Sequence, residues 1–417
     1  MKKIHIGDKY YFKLFWMAIL ISFFAWFIDL IINPQGQQLD LFFIRMNNFW
    51  ADATNVTGMI RDMNPYYSEA KGSYPPLAYL FFYPLMRLSS YPEIAYPYGS
   101  PYFLYYYQPI WTMLFVLGVF ICVILLYVVF VVQLRNISTL DAHMTGLAIC
   151  LSYPMLYTIE RGNILLVSIL AISIFVFYYD SDTKWKKECA LISLAIATGL
   201  KLSPAIFGVL LLCNKDWKAV FRTSCYGLFF LIVPFFFFEG GILNFSQFIN
   251  NIKYLPNDLT DLSNITGTGL LPSCLKYLSF FVEKQGESYT ISFTLYSIIE
   301  VLKYGISLIL FCGVFYVKHK WQKILNISIM ILILPKISFF YCVLYMVPFT
   351  VLFFNSVNSE KITIDKVIIC LCLVMLYFVY RCPVSNYFNY SFAIPILAIV
   401  ATVNSIEAYF NKRKNFC

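Results

Sequence analysis

Charge is what this chain has least of. Only 13% of its 417 residues are Asp, Glu, Lys or Arg, against roughly a quarter in an average soluble domain. Apolar side chains make up 60%, and mean hydropathy is +0.70. One aqueous core cannot hide that much apolar surface, which excludes a soluble protein, a disordered chain and a collagen-like fibre. Histidine is almost missing: His5, His143 and His319 are the three. The twelve cysteines contain no C-x-x-C and mostly lie in apolar runs, where they act as small hydrophobes. No His, Cys and carboxylate cluster has metal-ligand spacing, so neither a metal nor a cofactor is expected. There is no Walker or G-x-G-x-x-G motif and no sign of nucleic-acid binding.

What the chain has instead is long apolar runs. They lack period-two alternation and approach the roughly 20 residues needed to cross about 30 Å of hydrocarbon. Only helices and closed barrels satisfy their backbone there, and these runs read as helices. The expected fold is an all-α polytopic membrane protein, a single integral domain over residues 1–417. About twelve helices cross or partly cross, at 12–32, 109–134, 143–158, 164–179, 188–200, 203–213, 219–238, 291–317, 324–335, 338–354, 364–380 and 391–409. The first run is too long for a signal peptide and lacks a small-residue cleavage site, so it is expected to stay as an anchor.

Cations orient this bundle. With the N-terminus inside, Lys2, Lys3, Lys9 and Lys13 share one side with Arg135, Lys184, Lys186, Lys187, Lys215, Lys218, Arg222, Lys318, Lys320, Lys323, Lys361, Lys366 and Lys412-Arg413-Lys414. That is nineteen of the 31 cations, which puts both termini in the cytoplasm. Abundant Ile, Phe, Lys and Asn fit an AT-rich bacterial genome, hence a bacterial plasma membrane. The cytoplasmic loops are short, so no nucleotide-binding domain fits there. Asp180-Ser181-Asp182 spells D-x-D but reads as a solvated turn beside Lys184. Two long segments, 33–108 and 239–290, fall outside, and 244–255 has the apolar spacing of an interfacial helix.

Several spans are too short to cross at 1.5 Å per residue. They come in pairs that turn at polar tips: Glu160-Arg161-Gly162-Asn163, Lys201-Leu202-Ser203-Pro204 and Pro335-Lys336-Ile337-Ser338. A charge at membrane depth costs about 3 kcal/mol on insertion scales, so such residues point to function. Arg161, Lys201 and Lys336 point to an anionic ligand; the bland reading has the lysines snorkelling to the interface.

A specific order of motifs runs through the first half. Acidic residues follow the first span. Then come Asn64-Pro65-Tyr66 and Tyr74-Pro75-Pro76-Leu77-Ala78, the tip Arg161-Gly162-Asn163, the hairpin Ala197-Thr198-Gly199-Leu200-Lys201-Leu202-Ser203-Pro204, and a basic loop with Trp217. Together these resemble glycosyltransferase family 87, the polyprenol-phosphate-mannose-dependent mannosyltransferases of the GT-C superfamily. The resemblance implies a multi-span bundle whose active site faces outward. It implies a membrane hexosyltransferase that takes a mannose-like sugar from a polyprenyl phosphate, with inversion. The acceptor would be a hydroxyl of a cell-envelope glycolipid or glycan, as in polysaccharide biosynthesis. A carboxylate of the first outer loop would be the general base, and both Asp52 and Asp40 match that position. Arg161, Lys201 and Lys336 would hold the donor phosphate. Tyr66, Tyr74, Glu160 and Asn163 would contact sugar or acceptor. Family members often carry a His at a late hairpin tip, where this chain has Lys336 and Tyr341. The partners implied are the lipid donor, the acceptor and membrane lipids. Competing readings are an envelope polysaccharide polymerase or ligase and, with less support, a secondary transporter, which would want internal repeats.

Overall fold

The computed structural model describes residues 10–32, 50–60, 63–68, 71–88, 109–253, 282–285, 288–291, 293–335, 338–357, 362–378 and 390–414. In chain order its helices are α1 (Tyr10–Ile32), α2 (Ala51–Ile60), α3 (Pro76–Leu88), α4 (Pro109–Gln133), α5 (Thr139–Cys150), α6 (Tyr153–Arg161), α7 (Leu165–Tyr178), α8 (Lys184–Leu200), α9 (Val209–Cys213), α10 (Trp217–Ile232), α11 (Asn244–Lys253), α12 (Phe293–Gly313), α13 (Lys320–Ile333), α14 (Val347–Val357), α15 (Ile364–Tyr377) and α16 (Tyr390–Lys414). Short 3₁₀ segments at Ser203–Gly208, Val233–Phe237, Gly241–Leu243 and Phe340–Met346 lead into or out of them.

Four helical stretches are long and apolar enough to cross a membrane: Tyr10–Ile28, Met113–Gln133, Trp217–Phe237 and Phe392–Lys414. The chain is thus a helical membrane protein, and the described residues give four candidate full-length spans where about twelve full or partial ones are expected. The short apolar helices fall on the predicted hairpins, with Leu165–Tyr178, Ser203–Cys213 and Phe340–Ser356 among them. One predicted span, 143–158, is split. α5 ends at Cys150 and α6 starts at Tyr153, because Pro154 has no N–H to continue the ladder and its ring excludes the preceding turn. The Ser152 hydroxyl donates to the Ile149 carbonyl at 2.6 Å at the break.

The fold also holds one departure from all-α. Residues 282–285 and 288–291 form an antiparallel pair, β1 and β2, with Val282 opposite Ile291 and Gln285 opposite Ser288. Gly286 and Glu287, which separate the two strands in the sequence, lie outside the described residues.

Chain contacts separate two compact units. In one (residues 1–42, 130–155 and 258–417), α15 and α16 pack together, α12 packs on α13 and α16, and α1 on α15. α13 is buried along its whole apolar length. Asn326 ties it to its neighbours, its amide donating to the Ser405 hydroxyl at 2.9 Å and the Leu310 carbonyl at 3.2 Å. Removing such an amide from water is tolerable only when it is hydrogen-bonded.

The other unit (residues 43–129 and 156–257) holds most of the candidate residues. α7 and α8 form a hairpin joined by the exposed turn at Asp180 and Asp182, which is solvated as expected. α8 packs against α10, and α3 lies on both. Gly199 permits that approach: a Cβ there would lie 2.9 Å from Leu77 Cδ2 and 3.1 Å from the Phe230 carbonyl. Asp216 caps α10 by accepting from the Ala219 N–H at 3.1 Å, and Lys187 donates to the same carboxylate at 2.5 Å. Trp50, Val56, Ile60, Tyr66, Tyr79, Phe82, Phe235 and Phe248 form part of the core. The amphipathic stretch from Asn244 is helical, and its buried face docks on protein through Phe248 and Asn251.

Candidate active site

Asp52 stands in the first turn of α2, where a carboxylate also complements the helix dipole. The chain enters that helix through Trp50, whose φ of 56° is rare for a side chain of its size. The Trp50 N–H donates to the Glu160 carbonyl at 2.5 Å, which fixes the start of α2 against the end of α6. The Trp50 ring packs edge-on against Phe115, with centroids 4.9 Å apart.

α6 ends in a Schellman turn. The Asn163 N–H donates to the Thr158 carbonyl at 3.1 Å and the Gly162 N–H to the Ile159 carbonyl at 3.0 Å. Gly162 takes the left-handed φ of 61° that this turn needs. A Cβ there would also lie 2.9 Å from Ala53 Cβ and from Phe115 Cζ. The turn thus presses against α2 and aims two side chains at Asp52. Arg161 Nη2 donates to Asp52 Oδ1 at 2.5 Å, and Asn163 Nδ2 donates to Oδ2 at 2.6 Å. Asn163 is itself oriented, since its Oδ1 accepts the Leu165 N–H at 2.9 Å. Side-chain exposure is 19% for Arg161 and 13% for Asp52, so the pair is largely desolvated but reachable.

Glu160 lies behind this group. It is 5% exposed, and neither carboxylate oxygen has a hydrogen-bond partner among the described residues. Burial pushes its carboxyl up to about 8, against the pull of the Arg161 charge. At neutral pH it therefore holds its proton, and Asp52, Arg161 and Lys201 together carry one net positive charge.

Tyr74 and Lys201 complete the group. α8 stops at Leu200 because Pro204 cannot be accommodated in a continuing helix, and Lys201 is extended, with φ of −148°. Its Nζ sits 5.7 Å from the centroid of the Tyr74 ring. The Tyr74 hydroxyl in turn feels the charges of both Asp52 and Arg161. Lys336 and Asp40 lie outside the described residues. Tyr66 does not reach the group. It is wholly buried among Tyr79, Phe235 and Phe248, and its hydroxyl donates to the Tyr74 carbonyl at 3.2 Å, so it supports the loop and presents no ring face to a sugar.

Asn251 of α11 is a residue that sequence reasoning missed. Its amide donates to the carbonyls of Tyr66 at 2.8 Å and Gly72 at 2.9 Å, clamping both ends of the turn between Tyr66 and Gly72. The only signal was its place on the buried face of an amphipathic helix. Gly72 leaves no room for a side chain, as a Cβ would lie 2.3 Å from the Tyr79 hydroxyl.

Residues 73–279, about half of the chain, match the family profile of glycosyltransferase family 87. The chain belongs to that family. No curated protein and no solved structure matches it. The family match spans Tyr74, the 160–163 tip and Lys201, and makes the protein a membrane glycosyltransferase. Asp52 lies before the matched segment and is joined to it through Arg161 and Asn163.

Proposed function

We propose that this family 87 protein transfers a mannose-like hexose from a polyprenyl phosphate to a hydroxyl of a cell-envelope glycolipid or glycan. The reaction takes place on the outer face of a bacterial plasma membrane, with both termini in the cytoplasm. The observation that carries this reading is the convergence of Arg161 and Asn163 on Asp52, with Lys201 over the ring of Tyr74, which feels the Asp52 charge. A carboxylate held by two donors has a fixed direction yet keeps acceptor capacity, since each oxygen offers more than one lone-pair site. Asp52 takes the proton of the acceptor hydroxyl as its oxygen attacks the sugar's anomeric carbon. The bond from that carbon to the phosphate oxygen breaks, the polyprenyl phosphate leaves, and the anomeric configuration inverts.

The leaving phosphate gains charge as this bond breaks, and fixed cations in a water-poor site stabilise it best. Arg161 supplies a planar fork of donors, more than one carboxylate oxygen can use, and Lys201 a point charge. The excess of one positive charge suits the single negative charge of a sugar phosphodiester. General-base help of this kind contributes roughly 10²–10⁴-fold. Turnover of polyprenyl-phosphate hexoses by purified Asp52→Ala and Asp52→Asn protein tests the reading. A folded variant should lose most of its kcat; wild-type turnover in both would remove Asp52 as the base.

A further inference from the structure

We infer that Tyr74 is a positioning residue for the donor-phosphate lysine, its ring carrying the Lys201 ammonium. The inference rests on the transferase reading above. A lysine reaching from the end of a helix has a flexible four-carbon stem and, in water, no reason to hold one direction. A tyrosine face under its ammonium supplies one, through the negative centre of the ring. The 5.7 Å separation between Lys201 Nζ and the ring centroid lies within the range of that attraction.

The tyrosine can serve as a reference point because it is itself held. Its carbonyl accepts from the Tyr66 hydroxyl at 3.2 Å, and its N–H donates to the Tyr79 hydroxyl at 3.4 Å. Both of those tyrosines are wholly buried. Pro75 and Pro76 follow, and each restricts the backbone before it. The ring's oxygen also feels the charges of Asp52 and Arg161, which are paired with each other. Burial first, and the Asp52 charge second, hold the phenol protonated far above neutral pH, so it neither gives up nor takes a proton in the reaction.

The test is a double-mutant cycle on farnesyl phosphate, a short polyprenyl monophosphate, with binding measured calorimetrically and turnover measured on a polyprenyl-phosphate hexose. Tyr74→Leu and Lys201→Met should each weaken farnesyl phosphate binding about threefold to tenfold, and the double variant should bind no worse than the weaker single. Tyr74→Phe keeps the ring and should bind like wild type. Pentafluorophenylalanine at position 74 keeps the shape of Phe, removes the ring's negative face, and should bind like Tyr74→Leu. Multiplying losses in the double variant, or pentafluorophenylalanine binding as tightly as Phe, would overturn the coupling. Wild-type protein that fails to bind farnesyl phosphate would overturn the donor reading itself. Active Asp52→Ala protein with the coupling intact would overturn only the base.

Discussion

Two largely desolvated ion pairs among the described residues look alike in burial, yet they differ in how they are built. Arg161 and Asp52 are 109 residues apart in sequence, and Asp52 divides its two oxygens between Arg161 and Asn163. Lys303 and Glu300 are three residues apart on α12. There, one ammonium takes both carboxylate oxygens, at 2.6 and 2.7 Å, and lies 4.8 Å from the Tyr304 ring centroid. Lys303 has 2% side-chain exposure, against 19% for Arg161. The local pair closes on itself and neutralises a charge that its apolar helix could not otherwise carry. The long-range pair is assembled by the fold, keeps some access, and is shared with residues that can face a substrate. Burial of a charge is therefore no mark of function by itself; what separates the two is whether distant segments were needed to make the pair.

Four substitutions break or sharpen that contrast, taken from the largest effect down. Asp52→Ala should lower kcat by about 10²–10⁴-fold with the fold retained, read from turnover and thermal melting together. Lys303→Met should do the reverse, leaving kcat of the folded fraction unchanged while costing about 3–5 kcal/mol of stability from a stranded carboxylate. The double variant Lys303→Met/Glu300→Leu should regain most of that loss. Gly162→Ala should cost about 1–3 kcal/mol, since it combines a left-handed backbone with contacts at 2.9 Å, and should depress activity by displacing Arg161 and Asn163. Unchanged melting in that variant would mean that the turn yields more easily than its packing implies.

The last prediction concerns pH. The Glu160 carboxyl is raised from an ordinary 4.5 to about 8 in the fold. Between those values the unfolded chain releases a proton that the folded chain keeps, so stability falls as pH rises from about 4.5 to about 8 and levels off above. Glu160→Gln should flatten that slope in melting temperatures measured across the range. A wild-type slope that survives the substitution would trace it to another group.

The helices were legible because hydrophobic length is a local property. The apolar runs at 109–134, 203–213 and 364–380 appear at Pro109–Gln133, Ser203–Cys213 and Ile364–Tyr377. The break at Ser152 was overlooked although Pro154 announced it, since apolar character continued through it. The tip at 160–163 was also legible, because charges and a glycine between two apolar runs mark the place where the chain turns back. Tyr66 was misread: nothing local tells a tyrosine that will meet sugar from one that Tyr79, Phe235 and Phe248 will enclose.

Sequence alone determined that the chain lives in a membrane and where most of its helices run, because both follow from transfer energies of neighbouring residues. Tertiary structure alone decided that Asp52 meets Arg161 and Asn163 and that Lys201 lies over Tyr74. Those are pairings in space, made by a Schellman turn at Gly162 and by helices that pack after the chain has bent back on itself.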